Sequence, residues 1–457
     1  MKRLTIWMWA AMMLCVIATS CSRQPELLRT IPASAQVVGC FDLPRLAAQC
    51  GVNFENSTPF SDRTVRSLGE LAPVFLAANA CGDLSQTYMF VTTGGSTFVT
   101  FMLKDREAFE KALTTSLHLT PVQNQGYTLY ELRSANTSTV ALRDNQAWII
   151  SYPTTLEDLR AALDAAADAD MASVTGVADR LKEGITDGGD ITMVINTEAT
   201  RGSDRSQWVM VKTDVDSASI KCDVRMINAD GKDVKYEGVL PMDVAALRHI
   251  PSSSFVLAGA GINGRDVDWE MFINPLTIMG GFRARGLYDT LAPYLKALDG
   301  TMIVSASPAN GNKGDVSDPE TWKLTLLAHM SQAAVDQACA TLVNQLSMPG
   351  VDIQKDSDGT TVLKFGDTRM YVANLDGYFA VSNQPFGNYT PDTAVASLCN
   401  DAVGVVVVDL PSLGVFGHTM PRWGVRLEGR YDDTHGEFTL SLPGSDSPVF
   451  QSLLELY

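Results

Sequence analysis

The segment Ile31–Leu46, IPASAQVVGCFDLPRL, is the part of the chain that most limits how the rest can fold. It joins an Ile-Pro lead-in and small polar residues to an apolar run and Asp-Leu-x-x-Leu. A version returns at Ile250 as IPSSSFVLAGAGINGRDV, and its second half returns at Val403 as VGVVVVDLPSL. Other landmarks recur in the same order. Thr87–Phe90 is matched by Thr301–Val304, Ser96–Leu103 by Trp322–Ala328, and Thr128–Arg133 by Thr360–Phe365. Arg143–Trp148 is matched by Asn374–Phe379, Ile191–Asn196 by Val403–Val408, and Trp208–Lys212 by Trp423–Leu427. The offset stays between about 212 residues, from Ile191 to Val403, and about 232, from Thr128 to Thr360. One landmark recurs by chance; a full set in one order points to a duplicated scaffold. Periods of about 20–50 residues mark solenoids, whereas this one is the size of a domain.

Each copy reads as α+β, with antiparallel hairpins outnumbering βαβ crossovers. Gln36–Phe41 reads as a buried strand. Asp42 reads as the cap of a helix Leu43–Cys50, because a carboxylate accepts from the free N–H groups of a first turn. Ser67–Ala80 is apolar enough to pack as helix. Thr87–Thr92 and Ser96–Leu103 flank Gly94-Gly95, a hairpin signal. A helix is predicted from Asp105 to Ser116. Strands follow at Thr128–Arg133 and Thr139–Ile150, the second broken by a turn at Asp144-Asn145-Gln146. One Ala-rich helical region is predicted over Leu156–Leu181, then alternating strands at Trp208–Asp214 and Ala218–Met226. The chain divides into a first α+β repeat over residues 30–245 and a second over 246–457, the boundary falling near Pro241–Arg248. An apolar strand running into Asp-Leu or Asn-Thr also appears at 37–46, 191–199 and 403–413. That smaller likeness reads as ordinary strand-to-helix grammar, the alternative being an older duplication.

At the N-terminus, Lys2 and Arg3 precede an apolar run from Leu4 to Ile17, then Ala18-Thr19-Ser20-Cys21. A basic start, about 7–15 apolar residues and a small-residue site describe a secretory signal. A spanning helix needs about 20 apolar residues. The competing readings are a signal cleaved by ordinary peptidase and an uncleaved anchor. Because the small residues end on a cysteine, the pattern resembles the bacterial lipobox, with Ala18 where leucine is more usual. That resemblance implies a signal peptide over residues 1–20, lipidation of Cys21 and a lipidated tether over residues 21–29. Burial of acyl chains contributes about 0.8 kcal/mol per CH₂, which holds a domain at a membrane through its N-terminal lipid alone. Cys21 is followed by neither an aspartate nor an acidic run. By analogy with lipoprotein sorting this implies a cell-envelope protein of the outer membrane, on the periplasmic side rather than the cell surface.

The chain carries 35 Lys and Arg against 52 Asp and Glu, a net charge of −17. Removal of residues 1–20 takes Lys2 and Arg3 and no acid, leaving 33 bases and a net charge of −19. Such an excess repels phosphate backbones and anionic headgroups, which disfavours nucleic acid as a partner. With 46% apolar residues there is ample material for a core in each of two or three domains.

Eight cysteines become six once Cys15 is cleaved off and Cys21 is acylated: Cys40, Cys50, Cys81, Cys222, Cys339 and Cys399. They form no CxxC pair and no Cys/His cluster of zinc spacing, so neither a metal nor another cofactor is expected. Cys50 and Cys81 flank a loop-rich segment and are the pair placed for a disulfide, if one forms. His118, His249, His329, His418 and His435 fall in unrelated loops and strand ends, without an elbow or helix motif, and read as scattered surface histidines. Asp164 and Asp168 share a helix face; with Asp170 they lack calcium-loop spacing and read as a solvated face. Gly94-Gly95 and Gly280-Gly281 lack the remainder of a phosphate cradle. Trp148, Trp208, Tyr378 and Trp423 read as equivalent core anchors of the two copies. Ser217, Thr290 and Thr393 sit in Asp-Ser/Thr-apolar patterns that resemble O-glycan acceptor sites of secreted Bacteroidetes proteins.

The lipobox-like start, the Ile-Pro-x-x-Ala lead-in and Asp-Leu-x-x-Leu resemble an uncharacterised lipoprotein family of Bacteroidetes with a domain of unknown function. Ile250–Ser254 departs by replacing the alanine with serine, and Gly264-Arg265-Asp266 loosens the Asp-Leu step. The resemblance implies address and architecture and transfers no catalytic residue. The expected function is therefore non-enzymatic binding or scaffolding by a lipid-anchored envelope protein, with another envelope protein as partner. The alternatives are a carrier of an apolar ligand between the two domains and a hydrolase-like envelope enzyme with an assembled site.

Overall fold

A computed structural model describes residues 27–49, 71–132, 138–151, 153–187, 189–197, 207–235, 238–267, 269, 292–308, 322–412 and 423–454. The signal peptide, Cys21, Cys50, Gly280-Gly281, Thr290 and His418 lie outside them. The chain forms two compact units. The first runs to Ser217 and takes in Val224–Val234 and Ser447–Tyr457; the second is Ala218–Asp223 with Lys235–Asp446. Both are α+β and built on antiparallel pairing. These limits differ from a single cut at 245/246, because the C-terminal segment belongs to the first unit.

The strands of the first unit are β1 (Val37–Phe41), β2 (Gly82–Val91), β3 (Thr97–Leu103), β4 (Pro121–Asn124), β5 (Tyr127–Glu131), β6 (Thr139–Arg143), β7 (Gln146–Ile150), β8 (Ile191–Asn196) and β9 (Gln207–Val215). Strand β10 (Ser219–Asn228) is divided between the units. The order across the first sheet is β9-β8-β1-β2-β3-β7-β6-β5-β4, antiparallel at every step. Its helices are α1 (Leu43–Gln49), α2 (Leu71–Cys81), α3 (Arg106–Thr115), α4 (Leu156–Asp168) and α5 (Thr175–Thr186).

The second unit contains β11 (Val239–Leu240), β12 (Val256–Asn263), β13 (Leu298–Ser307), β14 (Lys323–Met330), β15 (Val351–Lys355), β16 (Thr361–Phe365), β17 (Thr368–Leu375), β18 (Tyr378–Ser382), β19 (Gly404–Leu410), β20 (Val425–Tyr431) and β21 (His435–Ser441). Its order is β21-β20-β19-β12-β13-β14-β18-β17-β16-β15, again antiparallel throughout. Helix α6 (Gln332–Leu346) follows β14 as α3 follows β3, and α7 (Thr393–Cys399) precedes β19. A last helix, α8 (Val449–Leu454), lies in the segment assigned to the first unit. From β1 to β9 and from β12 to β20 the two strand orders coincide, element for element.

Local chemistry explains the elements. Asp42 Oδ1 accepts from Arg45 N at 3.1 Å, which starts α1. Asp105 accepts from Ala108 N at 2.9 Å at the head of α3. Thr155 and Asp158 form a capping box at α4. That helix ends at Asp168, and Asp170 caps a separate short turn, so the predicted single helix over 156–181 is two. The reason is Asp170, whose carboxylate accepts from Ser173 N at 2.8 Å and restarts the chain. Alternation buries one face of each sheet; β8 alternates half-buried and buried residues along its whole length. In the first unit Val38, Phe90, Phe98, Trp148 and Trp208 share a core. Ile250, Leu257, Ile303, Tyr378 and Val405 share one in the second.

Several expectations need correction. Leu27 and Leu28 are buried in the core, so packed chain begins inside the expected tether over 21–29. Cys81 is a free thiol at the end of α2, buried in an apolar cluster with Val74, Leu84 and Phe101, while Cys50 lies outside the described residues. Trp208 lies within β9, whereas Trp423 precedes β20 and is half-buried, so the two are not equivalent. The matched hairpins are also one residue out of step. Arg143 faces Gln146 across Asp144-Asn145, and Leu375 faces Tyr378 across Asp376-Gly377. Tyr378 therefore stands where Gln146 stands, and a one-residue slip exchanges the two faces of a strand.

Candidate functional site

The β6–β7 hairpin turn of the first unit borders a cleft. Asp144 adopts φ 51°, a left-handed conformation that Asp tolerates better than most residues. Arg106, first residue of α3, holds the turn through Nη1 to the Asp144 carbonyl at 2.9 Å and Nη2 to Thr128 Oγ1 at 3.1 Å. The cavity measures about 390 Å³ and is lined by Arg29, Thr30, Met102, Arg143, Asp144, Asn145, Gln146, Trp148, Leu163 and Ala167. A neighbouring cavity of about 350 Å³ shares Met102 and Asn145 and reaches Leu27, Gln86, Asp83 and Lys104. Both volumes fall in the small-molecule range of about 300–1,000 Å³.

The cleft wall is apolar and its rim is charged. Trp148 is 2% exposed, and its indole packs edge-on to Tyr127 with ring centres 6.1 Å apart. The Trp148 Nε1–H is buried without an acceptor among the described residues. Arg143 lies 5.7 Å over the Tyr127 ring and donates to its hydroxyl at 3.3 Å, so that guanidinium is already held. Arg29 is exposed and has no ion-pair or hydrogen-bond partner among the described residues. Gln146 also lines the cleft, where its amide donates to Thr100 Oγ1 at 2.8 Å and to Thr30 Oγ1, another lining residue, at 3.0 Å.

The corresponding place in the second unit is filled by the chain itself. Tyr378 is 3% exposed and its hydroxyl donates to Asp243 Oδ2 at 2.8 Å. Burial, then the bond to Asp243, pushes the phenol well above its ordinary range. His249 and His329 flank the phenol ring, with ring centres 6.2 and 5.2 Å from it. Arg248 donates to Asp376 and, through Nε, to His249 Nε2 at 3.1 Å. His249 Nε2 also lies 3.6 Å from Asp376 Oδ2, which on distance alone suggests an ion pair. Accepting from Arg248 requires that nitrogen to be unprotonated, and burial followed by the Arg248 charge lowers the imidazole pKa. His249 is therefore neutral, with its proton on Nδ1.

His329 Nδ1 is 2.7 Å from Asp299 Oδ1, an arrangement familiar from general-base catalysis. Its Nε2 makes no hydrogen bond to a hydroxyl or thiol among the described residues. No group of three His, Cys, Asp or Glu that could hold a metal occurs among the described residues. None of their helices is long and apolar enough to cross a membrane.

The remaining sequence candidates do not join either place. Asp164 and Asp168 are exposed on α4. His118 is exposed in a loop at φ 53°, and His435 pairs with Asp223 at 2.7 Å. The reading of all five histidines as scattered surface residues fails at His249, which is 8% exposed, and at the meeting of His249 and His329 on one ring. Ser217 is exposed. Thr393 is exposed too, but the Asp392 of its triplet caps α7 by accepting from Ala394 N and Val395 N. The sequence did contain a signal for the cleft: Arg precedes the residue before each Ile-Pro, as Arg29-Thr30 and Arg248-His249. Only the hairpin register shows what each arginine faces.

No family model matches the chain, and no curated protein matches it. Among solved structures, crystal form III of TP0453 is similar at a TM-score of 0.28 with 11% identity, over 45% of this chain and 80% of that one. A likeness of that size carries no argument about fold or function.

Proposed function

We propose that this chain is a lipid-anchored envelope protein, a tandem duplication of one α+β scaffold, which acts by non-enzymatic binding of a small molecule in the cleft of its first unit. One observation carries the binding role: at like hairpin positions the second unit is filled by Tyr378, whereas the first has Gln146 and a cavity of about 390 Å³. The coincident strand orders support the duplication. The anchor at Cys21, and an outer-membrane site facing the periplasm, rest on residues 2–24. Binding is preferred to hydrolysis because the free nitrogen of the His329–Asp299 pair has no nucleophile beside it among the described residues.

Native mass spectrometry of the full protein, purified from its own envelope, tests the reading against Gln146→Tyr, which puts the side chain of the second unit into the first. A small-molecule adduct present on the wild type and lost on the variant supports it, given unchanged circular dichroism and thermal midpoint. Wild-type protein carrying no adduct overturns the binding role. An adduct retained by the variant overturns the cleft as its site.

A further inference from the structure

We infer that the cleft of the first unit takes an aryl carboxylate, its ring against Trp148 and Met102 and its carboxylate on Arg29; the inference rests on that cleft being the binding site. The second unit supplies the pattern. There the arginine two residues before Ile-Pro, Arg248, pairs with a carboxylate from the hairpin turn, that of Asp376. Next to that turn an aromatic ring, Tyr378, packs beside His329, its cross-strand neighbour. In the first unit the same two requirements are left open. Arg29 holds the matching place in Arg-x-Ile-Pro, yet the turn carboxylate of Asp144 has Arg143 as its cation, at 3.8 Å. The ring is missing as well, since Gln146 stands across from Met102 where Tyr378 stands across from His329.

Each wall supplies part of the recognition. The Trp148 indole and the Met102 thioether both favour the face or edge of an aromatic ring. A guanidinium binds a carboxylate through two parallel N–H donors, which a neutral amide matches poorly. In a chain of net charge −17, Arg143 and Asp144 offset each other in the cleft lining and Arg29 leaves one positive charge there, which favours an anion over a cation.

Isothermal titration of the purified chain with 3-phenylpropionate, 3-phenylpropanamide and 3-cyclohexylpropionate tests the assignment. The aryl acid is expected to bind at least tenfold more tightly than its amide and measurably more tightly than the cyclohexyl acid. Arg29→Gln should erase the difference between acid and amide while leaving the thermal midpoint unchanged, because Arg29 is exposed. Gln146→Tyr should abolish binding of all three. Equal binding of acid and amide, an Arg29→Gln variant that still distinguishes them, or no binding of the aryl acid overturns the inference. An adduct of another class, found on the protein from its own envelope and lost with Gln146→Tyr, would leave the cleft standing and the aryl carboxylate refuted.

Discussion

The hydroxyl of Tyr378 donates to the carboxylate of Asp243 at 2.8 Å, and that bond ties β18 to the short helical turn Val244–His249 that leads into Ile250-Pro251. Asp243 serves twice, since its other oxygen accepts from Ala245 N at 2.9 Å as the cap of that turn. Asp243 is exposed, so water replaces the phenol when the hydroxyl is removed. Tyr378→Phe should therefore cost only about 0.5–1.5 kcal/mol. Tyr378→Ala also empties the space between His249 and His329 and should cost about 3–5 kcal/mol. Urea unfolding followed by fluorescence separates the two. Equal losses for both variants would mean that the hydroxyl, not the ring, holds this corner.

His249 makes the second unit sensitive to acid. Burial and the Arg248 charge lower its pKa below the ordinary 6.5, while the unfolded chain keeps the ordinary value. Between the two values the unfolded state binds more protons, so stability rises with pH in that window. The contribution is complete above pH 6.5 and is lost as the pH falls toward the lowered value of the folded state. As the pH falls below 6.5, the urea midpoint of the wild type should drop more steeply than that of His249→Gln. Parallel curves for the two proteins would show that His249 is not the sensor.

What was readable from residues, and what was not, follows from the length scale of each signal. Strands whose faces alternate, such as β3 and β8, and turns marked by Gly94-Gly95 or Asp376-Gly377, announce themselves within ten residues. Strands β4 and β15 did not, because they are edge strands with almost wholly exposed side chains and no apolar period. The recurrence at Ile31 and Ile250 is legible for the same reason as the strands. Its fine alignment is not, because Gln146 and Tyr378 share nothing chemically and only the pairing of Arg143 with Gln146 and Leu375 with Tyr378 fixes the step. The cleft itself needed residues from the segment before β1, from β3, from β7 and from α4. Arg29 and Trp148 are far apart in the chain, and no periodicity links them.

Gly176 marks a close approach within the first unit. A Cβ placed there would meet the Asp230 carbonyl carbon at 2.0 Å and Gly231 N at 2.3 Å, both backbone atoms that cannot swing aside. Gly176→Ala should cost about 1–3 kcal/mol, the range for overpacking. Gly94→Ala is the control, since among the described residues a Cβ there meets nothing nearer than Thr92 Oγ1 at 3.8 Å; it should stay within about 0.5 kcal/mol of wild type. Thermal melts of both variants decide the point, and an unaffected Gly176→Ala would show that the turn at 230–231 yields.

The thiols of Cys40 and Cys399 should be unreactive in the folded protein. Burial raises Cys40 to about 12 and Cys399 to about 11, so the thiolate that attacks an alkylating agent is scarce near neutrality. Iodoacetamide at about pH 8 should leave both unmodified over hours and label them after denaturation. Peptide mapping reads the outcome. Rapid native labelling of Cys40 would contradict the burial of β1 between β2 and β8.

Asp42 stands where the chain passes from β1 into α1. Its carboxylate caps α1 through Arg45 N, and the Arg45 side chain reaches back to Asp190, with Nε 2.7 Å from Oδ1. That contact is an ion pair without hydrogen-bond alignment, for Oδ1 has no hydrogen-bond donor, while Oδ2 accepts from Val215 N at 2.6 Å. Burial dominates over both partners and raises the Asp190 pKa. Keeping Asp190 ionised therefore opposes folding, a penalty that is complete above the raised value and diminishes as the pH falls from there to the ordinary 3.8. Asp42→Ala removes the cap and should cost about 0.5–2 kcal/mol at neutral pH, with ligand affinity in the cleft unchanged. Asp42→Asn, which keeps an acceptor oxygen, should recover most of the loss. A variant at Asp42 that keeps its stability but loses binding would make this residue part of a site rather than the stop between a strand and a helix.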